Sequence, residues 1–128
     1  SSKLLFTIMA NSFINKKVDL TSDATFTLYT VPSATTAIIK SILVSNDDAS
    51  GQSAQLNITL TNSSDAVFSI AFQKIIEGPQ GQAGDPIEIL SKPLVAETGD
   101  IIKVAASAAN RLHVILSAME VTPRNVTT

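Results

Sequence analysis

Apolar and polar residues alternate along much of this 128-residue chain, and this pattern restricts the fold more strongly than any other feature. In Gln55–Thr61 the apolar residues share one face and polar residues occupy the other, as in a half-buried strand. Val67–Phe72 likewise is expected to place its Phe68, Ile70 and Phe72 on one face. Comparable runs occur at 25–31, 37–46, 87–90, 101–105 and 112–121.

Residues that favour turns separate these runs. Asn46–Gly51 is expected to close a hairpin, and Thr61–Asp65 a tighter one. In Glu97–Asp100, Gly99 stands where a hairpin turn can use a positive φ angle. We find no amphipathic helix with capping signals. The sequence therefore predicts an all-β fold, a single β-sandwich or jelly-roll-like barrel of about seven to eight antiparallel strands.

Length and composition set the expected domain organisation. A chain of this size buries roughly two-thirds of its unfolded surface, which suffices for one domain. Residues 23–122 are predicted to form the sandwich, residues 1–22 an N-terminal arm or first strand, and residues 123–128 a C-terminal tail. Residues 77–86 hold three of the five glycines and two of the five prolines, and are predicted to form a long exposed loop.

The composition also excludes several functions. The chain has no cysteine, which excludes disulfides and thiolate metal sites. Nine basic and eleven acidic residues give a formal charge of −2, which does not favour nucleic acid as a partner. The apolar runs are shorter than the ~18 residues of a membrane helix, and the run at 4–9 lacks the cleavage site of a secretory signal. We expect no nucleic-acid and no membrane partner.

The sequence shows no catalytic, cofactor-binding or metal site. His113, the single histidine, lies within a strand and outside any catalytic motif, so we expect a surface or interface residue. Asp47 and Asp48 do not match the spacing of a calcium loop. The glycines between 78 and 84 lack the G-K-[ST] sequence of a phosphate loop. We therefore expect that the chain is not an enzyme and needs no cofactor.

Three motifs resemble those of small β-sandwich structural proteins in tailed bacteriophage particles. The first is Thr27–Pro32 (TLYTVP), which is followed by Ile39–Asn46 (IKSILVSN). The second, Leu94–Ile102 (LVAETGDII), is similar to that family's L-x-A-G-D-x-I/L turn with an extra residue. The third, Val104–Asn110 (VAASAAN), is similar to its A-S-A-A hairpin and leads into Leu112–Glu120 (LHVILSAME). Together the motifs span most of residues 25–122.

The resemblance implies a structural protein of the virion, assembled in the host cytoplasm and without catalytic residues. The first expectation is a capsid decoration or cement protein, which binds the major capsid protein or other virion proteins and stabilises the assembled head shell. A tail, neck or baseplate component is an alternative. A carbohydrate-binding module for host attachment is another, although the chain has no Trp and a single Tyr to form a sugar platform.

Sparse charge favours an assembly. Only 16% of the residues are charged, which leaves apolar faces and sheet edges weakly guarded. We expect a homo-oligomer, and a trimer is favoured because local threefold positions on icosahedral shells are common docking points. The expected contacts lie in the N-terminal run and the glycine-rich loop. They are Leu4, Leu5, Phe6, Ile8, Gly78, Pro79, Gln80, Gly81 and Gln82.

Overall fold

The computed structural model describes residues 5–79 and 86–127, which form nine strands and contain no helix, so none of these residues forms a helix that could cross a membrane. The strands are β1 (Leu5–Asp19), β2 (Phe26–Thr30), β3 (Thr36–Asn46), β4 (Ala54–Thr61), β5 (Val67–Ile76), β6 (Ile87–Glu88), β7 (Leu94–Ala96), β8 (Ile101–Ala106) and β9 (Leu112–Thr127). The all-β prediction is confirmed.

The strands form two antiparallel sheets that pack face to face as a β-sandwich. The first sheet has the order β1-β9-β3-β6, with β7 also paired to β3, and the second has the order β2-β8-β4-β5. The first strand thus pairs with the last, β2 with β8, β3 with β6 and β7, and β4 with β5. This nested pairing is the jelly-roll arrangement, in which one long antiparallel hairpin is folded into two sheets.

The loop at Asn46–Gly51 does not close the expected hairpin, because it carries the chain from β3 in the first sheet to β4 in the second. The side-chain nitrogen Nδ2 of Asn46 donates to the backbone carbonyl oxygens of Gln52 and Ile76, at 2.9 and 3.0 Å, and these bonds hold the crossing in place. The hairpin expected at Thr61–Asp65 does join β4 to β5. Gly99 has the expected positive φ, +85°, but its turn closes no hairpin, because it leads from β7 in the first sheet to β8 in the second.

The core between the sheets is aliphatic. Its largest fully buried side chains are Ile39, Ile42, Leu56, Ile58, Ile76, Ile102, Leu112 and Leu116. Strand alternation alone would send Ile39 and Ile42 to opposite faces, since they are three residues apart. A bulge at Lys40 inserts one extra residue into β3 and brings both into the core. The Glu88 carboxylate accepts hydrogen bonds from the Ser41 hydroxyl and, at 2.8 Å, from the Ile42 amide, which secures the bulge.

The common face expected for Phe68, Ile70 and Phe72 is wrong, because two register shifts interrupt the pairing of β5 with β4. Phe68 pairs with Leu60 at the sheet edge, whereas Phe72 lies on the outer face beside Thr59. Their side chains are 57% and 74% exposed. The period of two predicted the strand but could not show the bulges that change its faces.

The two ends of the described chain form one structural unit. Within the range expected as an arm or first strand, Leu5–Asp19 forms β1 and pairs with β9 along its whole length. A separate C-terminal tail from residue 123 was expected, but β9 continues to Thr127. The reason is that β1 supplies backbone partners for these residues up to the pair Leu5–Thr127.

Candidate assembly surfaces

A two-stranded ribbon extends beyond the rest of the first sheet. β3 pairs with β9 only as far as Val121, whereas β1 pairs with β9 up to Thr127. Residues 5–10 of β1 and 122–127 of β9 therefore have only each other as sheet neighbours among the described residues; we call them the β1–β9 ribbon. At ~3.4 Å per residue the ribbon is roughly 20 Å long.

Apolar side chains of the ribbon are exposed on both of its faces. Successive residues of a strand point to opposite sides, and Leu5, Phe6, Ile8 and Met9 are all exposed, Leu5 to 63%. No described strand of the second sheet covers these four side chains. Isolated two-stranded ribbons are marginally stable in water, so this one presents apolar surface that a partner could cover.

Two side-chain contacts fix the base of the ribbon. The Tyr29 hydroxyl of β2 donates to Glu120 of β9 at 2.7 Å and so connects the two sheets. Thr35 donates its hydroxyl proton to the Ser33 carbonyl, and so the Thr122 hydroxyl, 3.1 Å away, donates to Thr35. The ribbon therefore leaves the sandwich at a defined position and not through a flexible joint.

The outer face of the first sheet carries an apolar row at right angles to its strands. Phe13 pairs with Met119, Met119 with Ile38, and Ile38 with Val95, so the row crosses β1, β9, β3 and β7. Phe13 is 80% exposed and Val95 60%. This row is not apparent from the sequence. The alternation in 11–15 could have indicated an exposed Phe13, but the strand order that aligns the four residues is not visible in the sequence.

The expected contact residues lie at opposite ends of the sandwich. Leu5, Phe6 and Ile8 lie on the ribbon, near the start of β3, and all three are exposed. Gly78 lies near the other end of β3, where it is buried against the β3–β4 loop and offers no exposed surface. Pro79 is half-buried beside it. Leu4, Gln80, Gly81 and Gln82 lie outside the described residues.

His113 is half-buried on the outer face of the first sheet, and it has two acidic neighbours. Its Nε2 lies 3.3 Å from Asp19 and 3.5 Å from Asp47. Asp19 pairs with His113 in the sheet, while Asp47 follows β3 directly, so strand order brings together residues that are far apart in sequence. In residues 5–79 and 86–127, no group of three His, Cys, Asp or Glu side chains has the geometry to hold a metal ion.

A groove lies between the sheets at the base of the ribbon. It has a volume of about 540 Å³ and is lined by residues of β1, β2 and β9, among them Ile14, Tyr29 and Glu120. Burial and the hydrogen bond to the Glu120 carboxylate raise the pKa of Tyr29 far above its ordinary value. The hydroxyl therefore stays protonated at neutral pH and acts as a donor. Its proton is already used in the contact between the sheets, so the groove offers no free acid or base at Tyr29.

No protein-family model matches the sequence, and no curated protein is similar to it.

Proposed function

We propose that this chain is a structural protein of a tailed-bacteriophage virion and that it decorates the assembled head shell. The observation that carries the proposal is the β1–β9 ribbon, which projects from the sandwich with apolar side chains on both faces. The phage-protein motifs support the assignment to a virion, and jelly rolls are used in viral capsids. Since one fold serves many functions, the site carries more weight than the fold.

Decoration follows from the energetics of the ribbon. Full burial of an apolar side chain such as Leu, Ile, Phe or Met contributes roughly 1.5–3 kcal/mol. In the isolated chain part of this stabilisation is not realised, because four such side chains of the ribbon are exposed: Leu5, Phe6, Ile8 and Met9. A groove between neighbouring shell subunits exists only after assembly. A ribbon that binds there stabilises the assembled shell over the dissociated subunits, which is how a cement protein acts.

The test is binding of the purified chain to phage heads stripped of decoration. We expect saturable binding and a higher melting temperature of the shell. Replacing both Phe6 and Ile8 with Ser should weaken binding by tenfold or more, which corresponds to about 1.4 kcal/mol. The matched control replaces Phe68 and Phe72 with Ser, since these exposed apolar residues lie on the opposite edge of the molecule.

Cryo-microscopy of virions distinguishes the remaining assignments. Copies at icosahedral positions support decoration. A few copies along the tail axis would support a tail, neck or baseplate component. Exposure at a tail tip together with a signal on a glycan array would support host attachment. Unbound heads with an unchanged melting temperature would contradict the cement function.

A further inference from the structure

We propose that the free edge of β1 pairs with β1 of a second copy of this chain, antiparallel, about a two-fold axis at Phe13. This pairing would join the first sheets of two copies into one continuous sheet. It goes beyond attachment to a shell, because it assigns a homodimer interface that forms in solution.

The edge of β1 differs from every other sheet edge among the described residues. At the far side of the first sheet, β6 and β7 have two and three residues. In the second sheet, β2 has five residues and a register shift, and β5 has two register shifts. Short or bulged edge strands prevent pairing with other chains. β1 has 15 residues and an uninterrupted register, so its edge alone is suited to a further strand.

The composition of β1 also leaves this edge unguarded. Residues 5–15 contain no charged residue and no proline, the two residue types that usually block edge pairing. Lys16, Lys17 and Asp19 are confined to the last four positions of the strand. A partner strand therefore has to place its own positive charges away from these lysines. This requirement restricts both the direction and the register of the partner strand.

A second copy meets this restriction when the axis lies at Phe13. Lys17 then faces Met9 of the other copy, Lys16 faces Ala10, and Asp19 faces Thr7, so no like charges are opposed. Parallel pairing in register would stack Lys16 on Lys16 and Lys17 on Lys17, and an axis near residues 16–17 would oppose lysines again. Like charges directly opposite each other destabilise a sheet.

Apolar complementarity favours the same register. The two Phe13 rings would meet across the axis, and aromatic cross-strand pairs stabilise sheets. The apolar row from Val95 to Phe13 would then continue into the row of the second copy, which covers the most exposed large apolar residue of the described chain. Pairing uses the backbone edge of β1, so the faces of the ribbon remain available for the shell.

Cysteine cross-linking tests the register, and the chain has no cysteine of its own. Under mild oxidation the F13C variant of the full chain should form a covalent dimer in high yield. Residues directly opposite in an antiparallel pair have Cα atoms about 4.5–5.5 Å apart, within reach of a disulfide. The F72C variant is the matched control for random collision, because Phe72 is similarly exposed but lies on the β5 edge.

Two further variants fix the register. With the axis at Phe13, Asn11 of one copy faces Asn15 of the other, while the two Asn11 residues are roughly 14 Å apart along the strands. On oxidation the N11C and N15C variants should each form no disulfide-linked dimer, and their mixture should give the covalent dimer.

Without cross-linking, wild-type chain at micromolar concentration should sediment as a dimer. The F13E variant should sediment as a monomer and the F72E variant as a dimer. A mixture of F13E and F13K should restore the dimer through opposite charges at the axis.

A monomeric or trimeric wild-type chain, or equal cross-linking of the F13C and F72C variants, would overturn this pairing. A trimer would instead support the state expected from shell symmetry. None of these measurements uses phage heads, so a failure here is distinct from a failure of the decoration proposal. Conversely, the F6S/I8S variant tests the shell contact without changing Phe13.

Discussion

The hydroxyl of Tyr29 lies 2.7 Å from the Glu120 carboxylate, and this bond links β2 of one sheet to β9 of the other. Glu120 directly precedes Val121, the last residue of β9 that has a partner in β3. The bond therefore acts where the sandwich ends and the β1–β9 ribbon begins. Tyr29 is nearly fully buried, so the hydrogen bond is shielded from water and contributes more to stability than a surface hydrogen bond does.

Replacing Tyr29 with Phe should lower the free energy of unfolding by about 1.5–3 kcal/mol, because a hydrogen bond to a charged group is lost and Glu120 is left without it. Urea denaturation of the wild-type chain and of Y29F measures this difference. An unchanged midpoint would show that water replaces the hydroxyl without cost. A matched control is Ile58→Val, which removes one buried methylene and no hydrogen bond.

The same pair predicts a dependence on alkaline pH. The pKa of Tyr29 is raised in the folded state, so its stabilising contribution is complete below the ordinary value of 10.0 and is lost as the pH rises above it. The stability difference between wild type and Y29F should therefore shrink above pH 10. Since Tyr29 is the single tyrosine and there is no tryptophan, tyrosinate absorbance reports this group alone. Titration with an ordinary midpoint in the folded chain would contradict the prediction.

Glu88 should give the opposite dependence at acidic pH. Partial burial opposes ionisation, but hydrogen bonds from the Ser41 hydroxyl and from the Ile42, Leu90 and Ile89 amides outweigh it and lower the pKa. A lowered pKa contributes stability above the unfolded value, 4.5, and this contribution is lost as the pH falls through the folded value. The melting temperature of wild type should exceed that of E88Q at pH 7, and the difference should narrow below pH 4.5. A constant difference would show that the bulge does not depend on the charge.

Gly78 should tolerate no side chain. A Cβ atom at this position would lie 2.6 Å from the carbonyl carbon of Gly51 and 2.8 Å from the Gln52 carbonyl oxygen, and backbone atoms cannot move aside cheaply. Gly78→Ala should therefore destabilise the fold by about 1–3 kcal/mol, as overpacking does. Glu77→Ala, at an exposed neighbouring position, is the control and should change the melting temperature little. Equal stability of the two variants would show that the β3–β4 loop can move.

The sequence predicted strand positions well because local alternation follows from burial of one face. The strand at Gln55–Thr61 matches β4, whose Leu56 and Ile58 are fully buried. It predicted pairing less well, since turn residues mark a change of direction but not which sheet receives the next strand. Asn46–Gly51 has a composition typical of a hairpin and nevertheless crosses between sheets.

The candidate surfaces were only partly accessible from sequence for the same reason. The run containing Leu5, Phe6 and Ile8 was identified as a contact segment because it is too apolar for a free chain, and these residues are exposed on the ribbon. The row through Phe13 and Met119 depends on pairing between residues that are more than 100 positions apart. Gly78 was assigned to an exposed loop from composition, but its missing side chain is what allows close backbone packing.

Removal of the β1–β9 ribbon should separate folding from attachment. A variant without residues 1–10 and 122–128 keeps Ile14, which packs against the core, and the full β3–β9 pairing up to Val121. The ribbon adds backbone pairing that is marginal in water, and its loss removes the contact between Thr122 and Thr35. We therefore expect the free energy of unfolding to fall by no more than about 1–2 kcal/mol. Ile58→Ala should cost about 2–5 kcal/mol through its buried cavity, and it provides the comparison in the same urea titration.

The ribbonless variant should nevertheless lose binding to stripped heads, while Ile58→Ala should retain it at temperatures where it is folded. Full binding by the ribbonless variant would show that another surface attaches the chain to the shell.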